Sequence, residues 1–482
     1  MKIFIFGIGQ YYQNRKQQFF DVAADDEILG FLDNCVDEVT SFDGFYAYSP
    51  KIVKDKESDR IVLMSTYYAE IIEQLVELGV PREKILFWEE YRAEKMRGKM
   101  RLYVNTPLQK TKSILIVTTD LNYNGGSLAI INAAVVLTKK GYNVCLSAGS
   151  CDEKLRLEIM NRGINLLIYP ALPYISNFER PFIEKFDIVL VNVFQMIKLA
   201  CDISQYKPVL WWLHESDCAT DSVYGYIRYQ FSSYDNISSM KKIKIYAVSN
   251  IAKENFERYY PYQVFGILPY GVQDEANPIS HDAEHDKFVF AIIGTVCQLK
   301  SQLIFLEAAK RLPRKVREMC EFWIIGACGT DSYGKSVKMK ILDISQAKIF
   351  GVMNRMELKN AFQRISCVVC ASMSETMSLT ITEGMMHGKM CITTDKTGIA
   401  GYIKDGINGF VCKVGDVVSL HDCMERAFDM REDSSDMRMK ARKLYEEEFS
   451  MERFGERLEC AILDTEERYY KDDKLNKLLP QM

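Results

Sequence analysis

Three times along the chain a short apolar run passes into a glycine-containing turn and then into a helical pattern. Ile3–Phe6 leads to Gly7 and Gly9. Ile114–Val117 leads to Asn124-Gly125-Gly126 and a helix from about Ser127 to Lys140. Phe288–Ile293 leads to Gly294 and a helix from about Ser301 to Leu312. Strands alternating with helices of this length predict parallel α/β sheets, and three such starts predict three separate sheets.

The first unit predicts strands at Ile3–Phe6, Ile28–Asp33, Ile61–Met64 and Ile85–Trp88. Its helix, about Tyr68 to Leu78, is stopped by Gly79 and Pro81. A linker, Tyr91 to Lys112, holds Arg92, Lys95, Arg97, Lys99, Arg101, Lys110 and Lys112 against one acid, Glu94. The second unit predicts strands near Ile114, Val144, Leu166, Val189, Leu210 and Ile245. A loop rich in Asp, Asn, Pro and His, Gln273 to Asp286, precedes the third unit, which extends to about Met430. Helical patterns follow to Leu479. The plan is therefore 1–105, 113–275, 286–430 and a helical 431–482.

Composition is that of a globular protein, 48% hydrophobic and 26% charged over 482 residues, enough for two to four domains. A net charge of −4 offers no basic excess for nucleic acid. The longest useful apolar stretch, Phe288 to Cys297, is about half of the roughly 20 residues a membrane span needs. The apolar run after Met1-Lys2 is too short for a signal peptide and reads as a first strand, so a cytoplasmic location is expected. The 14 cysteines show no framework spacing and are expected as reduced thiols. Cys367 and Cys370, inside the apolar run Ile365–Ala371, read as a buried strand before they read as a redox or zinc site. His281 and His285 read as part of a solvated linker.

Ser372 to Gly388 carries the most chemistry. The strand Cys367–Ala371 ends in a polar turn containing Glu375, Thr376, Met377 and Ser378; a helix starts near Leu379 and contains Glu383. Unpaired amides at such a helix start, with a favourable dipole, can receive a diphosphate. A carboxylate one turn in can accept two sugar hydroxyls, a charge-assisted contact worth roughly 1.5–3 kcal/mol. The structural alternative is that Ser378 is an N-cap and Glu383 a first-turn acid favoured by the dipole.

Glu375 and Glu383, eight apart at a strand–turn–helix, resemble the E-x7-E signature of retaining glycosyltransferases of the GT-B fold, most like family 4. Further segments resemble that family in order: Gly125-Gly126, Trp211-Trp212-Leu213-His214-Glu215, Val248-Ser249, Pro269-Tyr270-Gly271-Val272, Ile293-Gly294-Thr295-Val296 with Lys300-Ser301-Gln302, Ile324-Ile325-Gly326, Phe350-Gly351-Val352, Gly388-Lys389-Met390-Cys391-Ile392 and Asp405-Gly406-Ile407-Asn408-Gly409-Phe410-Val411. They cover about Ser113 to Met430.

The resemblance implies an α/β chain of three Rossmann-like parallel-sheet domains. The last two form a GT-B pair, 113–275 binding acceptor and 286–430 binding the nucleotide sugar. It implies a retaining, metal-independent enzyme that moves a sugar from a nucleoside diphosphate to a hydroxyl of a glycan or lipid-linked acceptor in surface polysaccharide synthesis. The donor is a substrate, and no cofactor is implied. His214, Lys300 and Glu375 would be catalytic: Lys300 neutralises the diphosphate, Glu375 holds the donor sugar and His214 faces it from the acceptor domain. Gly125, Gly126, Gly294, Thr295, Thr376, Met377, Ser378 and Leu379 would contact the donor, and Glu383 would hold its ribose. Thr295 stands where the family usually has Arg, Thr376 and Ser378 where it has glycines, and Lys389-Met390 where it has a proline.

The first unit opens Phe6-Gly7-Ile8-Gly9 and continues Gly30-Phe31-Leu32-Asp33, like a dinucleotide-type domain whose third glycine position is Tyr12. It resembles small Rossmann-like domains attached to sugar acyltransferases; Asp33 could bind a ribose, or the unit could be a docking module. The basic linker, 92–112, could rest on the anionic inner face of the cell membrane at about 1 kcal/mol per basic residue, or be a solvated helix end. Two competing functions are a non-catalytic glycosyltransferase-like partner or nucleotide-sugar scaffold, and a nucleotide-sugar epimerase or oxidoreductase working through the first unit.

Overall fold

The computed structural model describes residues 1–105, 111–215, 242–260, 263–276 and 287–478. Lys110, His281, His285 and Leu479 lie outside the described residues. Three sheets are present, as the three strand–turn–helix starts require. The first runs, in spatial order, Thr40–Phe42, Phe45–Tyr48, Glu27–Leu32, Lys2–Phe6, Arg60–Leu63 and Ile85–Phe87. The second runs Gly266–Ile267, Ile243–Ala247, Val209–Leu213, Ile188–Asn192, Ser113–Thr118, Asn143–Ala148, Asn165–Ile168 and Arg101–Tyr103. The third runs Ala347–Phe350, Cys320–Ile325, Phe288–Ile293, Cys367–Cys370, Met390–Thr394 and Phe410–Cys412, all parallel.

Two strands depart from the parallel plan. Thr40–Phe42 and Phe45–Tyr48 form a short antiparallel hairpin at the edge of the first sheet, which the apolar pattern did not mark. Arg101–Tyr103 corrects the linker reading of Tyr91–Lys112: it pairs antiparallel with Asn165–Ile168 and closes one edge of the second sheet. Its basic composition hid it, because this edge strand is held by backbone pairing and buries none of its three side chains. Trp88–Met96 is helical, and several linker cations have protein partners: Lys95 meets Asp26, Lys112 meets Glu466, and Arg97 donates to the Tyr174 carbonyl.

Among the parallel strands of each sheet the order reverses once, and the loops on either side of the reversal leave the same carboxyl edge. In the third sheet these follow Phe288–Ile293 and Cys367–Cys370; in the second, Ser113–Thr118 and Ile188–Asn192. The apolar core of the second sheet continues onto Ile381, Met385 and Ile399 of the third unit, so the two units pack on each other.

Past the third sheet, helix Ser435–Leu444 leads through a turn at Tyr445–Phe449 into the helix Met451–Leu478. That helix returns to the second unit. The Phe454 ring stacks on Trp212 with centroids 5.6 Å apart, Lys140 meets Glu459 at 2.7 Å, and Asp464 accepts from Tyr246. Every described cysteine is free, and Cys367 and Cys370 lie in a buried strand as the apolar run indicated. Among the described residues no helix is long and apolar enough to cross a membrane.

Candidate functional site

The strand Phe288–Ile293 ends at Gly294, whose φ of +145° suits a residue without a side chain. Behind it Gly326 is equally constrained, because a Cβ there would lie 2.2 Å from the Gly294 carbonyl oxygen. The chain then passes exposed Thr295, makes a single turn at Gln298–Lys300 and reverses at Ser301, which adopts the left-handed conformation with φ +56°. Glycine would take that conformation without strain; here Ser301 holds it by donating to the Gln298 carbonyl at 3.1 Å. Gln302, wholly buried, donates to the Thr295 carbonyl and accepts from the Cys297 amide. These bonds aim Lys300 back over Gly294: the Lys300 Cε lies 3.8 Å from where a Gly294 Cβ would be.

Lys300 ends on Glu375. Its Nζ lies 2.9 Å from Oε2 of Glu375, an oxygen that also accepts from Ser372 Oγ at 3.0 Å and Cys370 Sγ at 3.4 Å. Burial alone would push the ammonium pKa down, but the Glu375 carboxylate outweighs it and holds the group above its ordinary value. The turn carrying Glu375 is tied to the Lys300 loop by Met373 N–H donating to the Leu299 carbonyl, and to its own sheet by Glu375 N–H donating to the Lys396 carbonyl.

The helix after this turn begins at Leu379, with Ser378 as its N-cap accepting from the Ile381 amide. The capping role read from the sequence is therefore present in the structure. Met377 turns its side chain into the core, leaving only its backbone to the cleft. Opposite stands a second helix start, Gly125–Lys139, capped by Asn124. A Cβ on Gly125 would lie 3.0 Å from the Leu379 side chain, whereas Gly126 meets nothing closer than 3.5 Å. Two helix N-termini thus face each other across the cleft, with Lys300 and Glu375 beside one of them.

His214 follows the strand Val209–Leu213 and approaches the same turn: Thr376 Oγ1 donates to the His214 carbonyl at 3.0 Å. Its ring packs edge-on to Trp212 at 4.4 Å, and its Nε2 is enclosed without a partner. Burial pushes its pKa down to about 3, so the imidazole is neutral. Glu215, next in sequence, accepts from the Phe194 and His214 amides; burial raises its carboxyl to about 6 against those two bonds. Glu215 therefore fixes the loop that carries His214.

Glu383 is buried in the first turns of the helix, and burial raises its pKa despite a cationic neighbour. That neighbour, Arg355, had no signal in the sequence beyond following the helix cap Asn354. Arg355 Nη1 sits 2.5 Å from Glu383 Oε1, while its Nε sits 2.7 Å from Glu275 in the segment leading from the second unit. Tyr270, buried in that same stretch of chain, lies near enough to Glu375 and Glu383 for both to raise its pKa further above the value burial gives. Glu275 and Arg355 are site-forming side chains that motif reading did not single out, while Gln302 and Tyr270 lie in segments it quoted without giving them a role.

Comparison with known proteins bears on the fold and on the sequence of the third unit. Residues 273–444 match the family model described as glycosyl transferases group 1, and residues 1–86 match one described as C2185-like, N-terminal. The candidate glycosyltransferase EpsD of Bacillus subtilis (strain 168) is 22% identical over 174 residues, 36% of this chain. The match spans 43% of the length of that relative. A glycosyltransferase from Rickettsia africae superposes with a TM-score of 0.59 at 17% identity, over 75% of this chain and 100% of its own. HepE of Anabaena, solved in complex with UDP-glucose, superposes with a TM-score of 0.61 at 14% identity, over 73% and 99%. The fold of the second and third units is that of a GT-B pair, and residues 273–444 are similar in sequence to group 1 glycosyl transferases.

Proposed function

We propose that the chain transfers a sugar from a nucleoside diphosphate sugar to a hydroxyl of a glycan or lipid-linked acceptor, with retention and without a metal. The observation that carries the reading is the Lys300–Glu375 pair at a helix start, facing a second helix start across the cleft. Cleavage of a glycosyl–phosphate bond leaves negative charge on the diphosphate and positive charge on the sugar ring. A fixed ammonium and unpaired helix amides answer the first. In this reading the sugar sits beside the Glu375 carboxylate, which answers the second. Neutral His214 adds no charge beside the sugar in this reading, and its enclosed, unpartnered Nε2 must be uncovered before it can meet a sugar hydroxyl. Thr295, in place of the family's usual Arg, leaves Lys300 and the helix amides with more of the diphosphate charge to neutralise.

Glu383 accepts the ribose hydroxyls in this reading, which requires Arg355 to yield one carboxylate oxygen. HepE, solved with UDP-glucose, supports a nucleotide-sugar ligand for this fold. The second reading, a non-catalytic glycosyltransferase-like partner, is favoured by Thr295 and by Thr376 and Ser378 in place of glycines. Incubation of the chain with a panel of nucleoside diphosphate sugars, read as release of free nucleoside diphosphate and the anomeric configuration of the product, tests the proposal. Binding without turnover across the panel and across acceptors would support the scaffold; an inverted product would overturn retention.

A further inference from the structure

The first sheet has its own reversal of strand order, between Lys2–Phe6 and Arg60–Leu63. Above the carboxyl ends of these strands lies a cavity of about 750 Å³, large enough for a nucleotide. It is separate in sequence and in lining from the cleft between the second and third units, and none of the function proposed above uses it. We propose that it binds a nucleoside monophosphate, with Asp33 accepting the ribose hydroxyls, Arg15 pairing with the phosphate and Tyr67 offering a face to the base.

Asp33 is held ready for such a role. Its Oδ2 accepts from the Ile8 amide at 3.2 Å and its Oδ1 from the Cys35 amide at 2.9 Å, which fixes the carboxylate between two loops and leaves each oxygen a further lone pair. The floor is Gly7, at φ +108°, where a Cβ would lie 2.8 Å from the Met64 carbonyl; Gly9 beside it has open space above. Tyr67 stands 70% exposed at the rim, an aromatic face without cover.

The anion end differs from a dinucleotide site. The helix after the glycine turn lasts only from Gln10 to Gln13, too short to present much dipole, and Tyr12 fills the position of the third glycine with its hydroxyl on Asp43. The chain breaks there and places Arg15 in the wall of the cavity, its guanidinium 3.9 Å from the centre of the Tyr11 ring. One guanidinium, with Glu70 also lining the wall, suits one phosphate group in preference to a diphosphate.

Calorimetry of the full chain with AMP, CMP, GMP and UMP tests this. At least one should bind, and more weakly as its 2′-deoxy form. Affinity should fall tenfold or more in Arg15→Gln and Asp33→Asn. Because Asp33 also holds two backbone amides, Tyr67→Ala on the exposed rim provides a variant whose folding is safe, and it too should weaken binding. A component of monophosphate binding should persist unchanged in Glu383→Gln and Lys300→Ala, which separates this site from the proposed donor site. The proposal is overturned if none of the four monophosphates binds, or if binding is lost in Glu383→Gln and unchanged in Arg15→Gln and Tyr67→Ala. Neither result bears on sugar transfer in the cleft.

Discussion

Arg355 holds the carboxylate of Glu383 at 2.5 Å, the acid 10% exposed and the arginine 47%. The guanidinium occupies the place at which the proposed donor would present its ribose. If Arg355 yields that oxygen to the ribose, removing it exposes a ready-made acceptor. Arg355→Gln should lower the melting temperature, since it leaves a buried carboxylate unpaired. Saturating nucleoside diphosphate should then raise that temperature by more than it does in the wild type. An equal or smaller ligand-induced rise would show that Arg355 contacts the nucleotide instead of standing in for it.

The paired glutamates separate donor contact from structure. Glu383→Gln should weaken nucleoside diphosphate binding by roughly 1.5–3 kcal/mol, about ten- to a hundredfold. Glu375→Gln should leave free nucleoside diphosphate nearly unaffected but weaken the intact nucleotide sugar and slow transfer. Calorimetry with both ligands reads the difference; a fall in melting temperature with unchanged affinities would make both residues structural.

Lys300→Ala should cut turnover by about 10²-fold or more, on the order of 2.7 kcal/mol of leaving-group stabilisation. The residue keeps 28% of its side-chain surface, so the fold should survive. Turnover in EDTA should equal that in buffer; complete loss, restored by manganese or magnesium, would overturn the metal-free reaction.

Glu215 gives stability a pH signature. Its folded carboxyl is raised from 4.5 to about 6, so the native state holds its proton longer than the unfolded chain does. Its contribution is full below pH 4.5 and is lost as pH rises towards 6, a fall of about 2 kcal/mol. Glu215→Gln should flatten that part of the stability–pH curve as measured by urea unfolding. An unchanged slope would place the titration elsewhere.

Gly398 tests how closely the two units must approach. A Cβ there would lie 1.7 Å from the Thr376 carbonyl oxygen and 2.5 Å from the Ser249 Cβ. Gly398→Ala should cost roughly 1–3 kcal/mol or more through overpacking. It should also weaken nucleotide-sugar binding, because Thr376 is the residue that reaches His214.

The strands were legible where both faces are buried: Phe288–Ile293 and the strands near Ile114 and Val189 read as continuous apolar runs and are found there. Arg101–Tyr103 was not, because its pairing with Asn165–Ile168 is a long-range fact that its basic residues do not advertise. At the site, local pattern alone read Ser378 as a cap and Glu383 as a first-turn acid; Lys300, Glu375 and Glu383 were singled out through the family their segments resemble. Arg355 was not, because its role is set by two acids, Glu275 and Glu383, that lie 80 and 28 residues away in opposite directions.

The return of the helix Met451–Leu478 has a mechanical consequence. The polypeptide passes between the second and third units twice, and the two passages lie side by side: Val272 N–H donates to the Phe449 carbonyl at 2.8 Å, and Tyr445 Oη donates to the Val272 carbonyl at 2.9 Å. Two tethers bonded to each other define a pivot line, like a door hung on two neighbouring pins. Rotation about that line is the relative movement the two tethers oppose least, while sliding or twisting one half over the other would pull on both at once. Half of the pivot belongs to the last part of the chain, so the second unit expressed without residues beyond 444 would lose its lever arm as well as the Phe454 packing over Trp212.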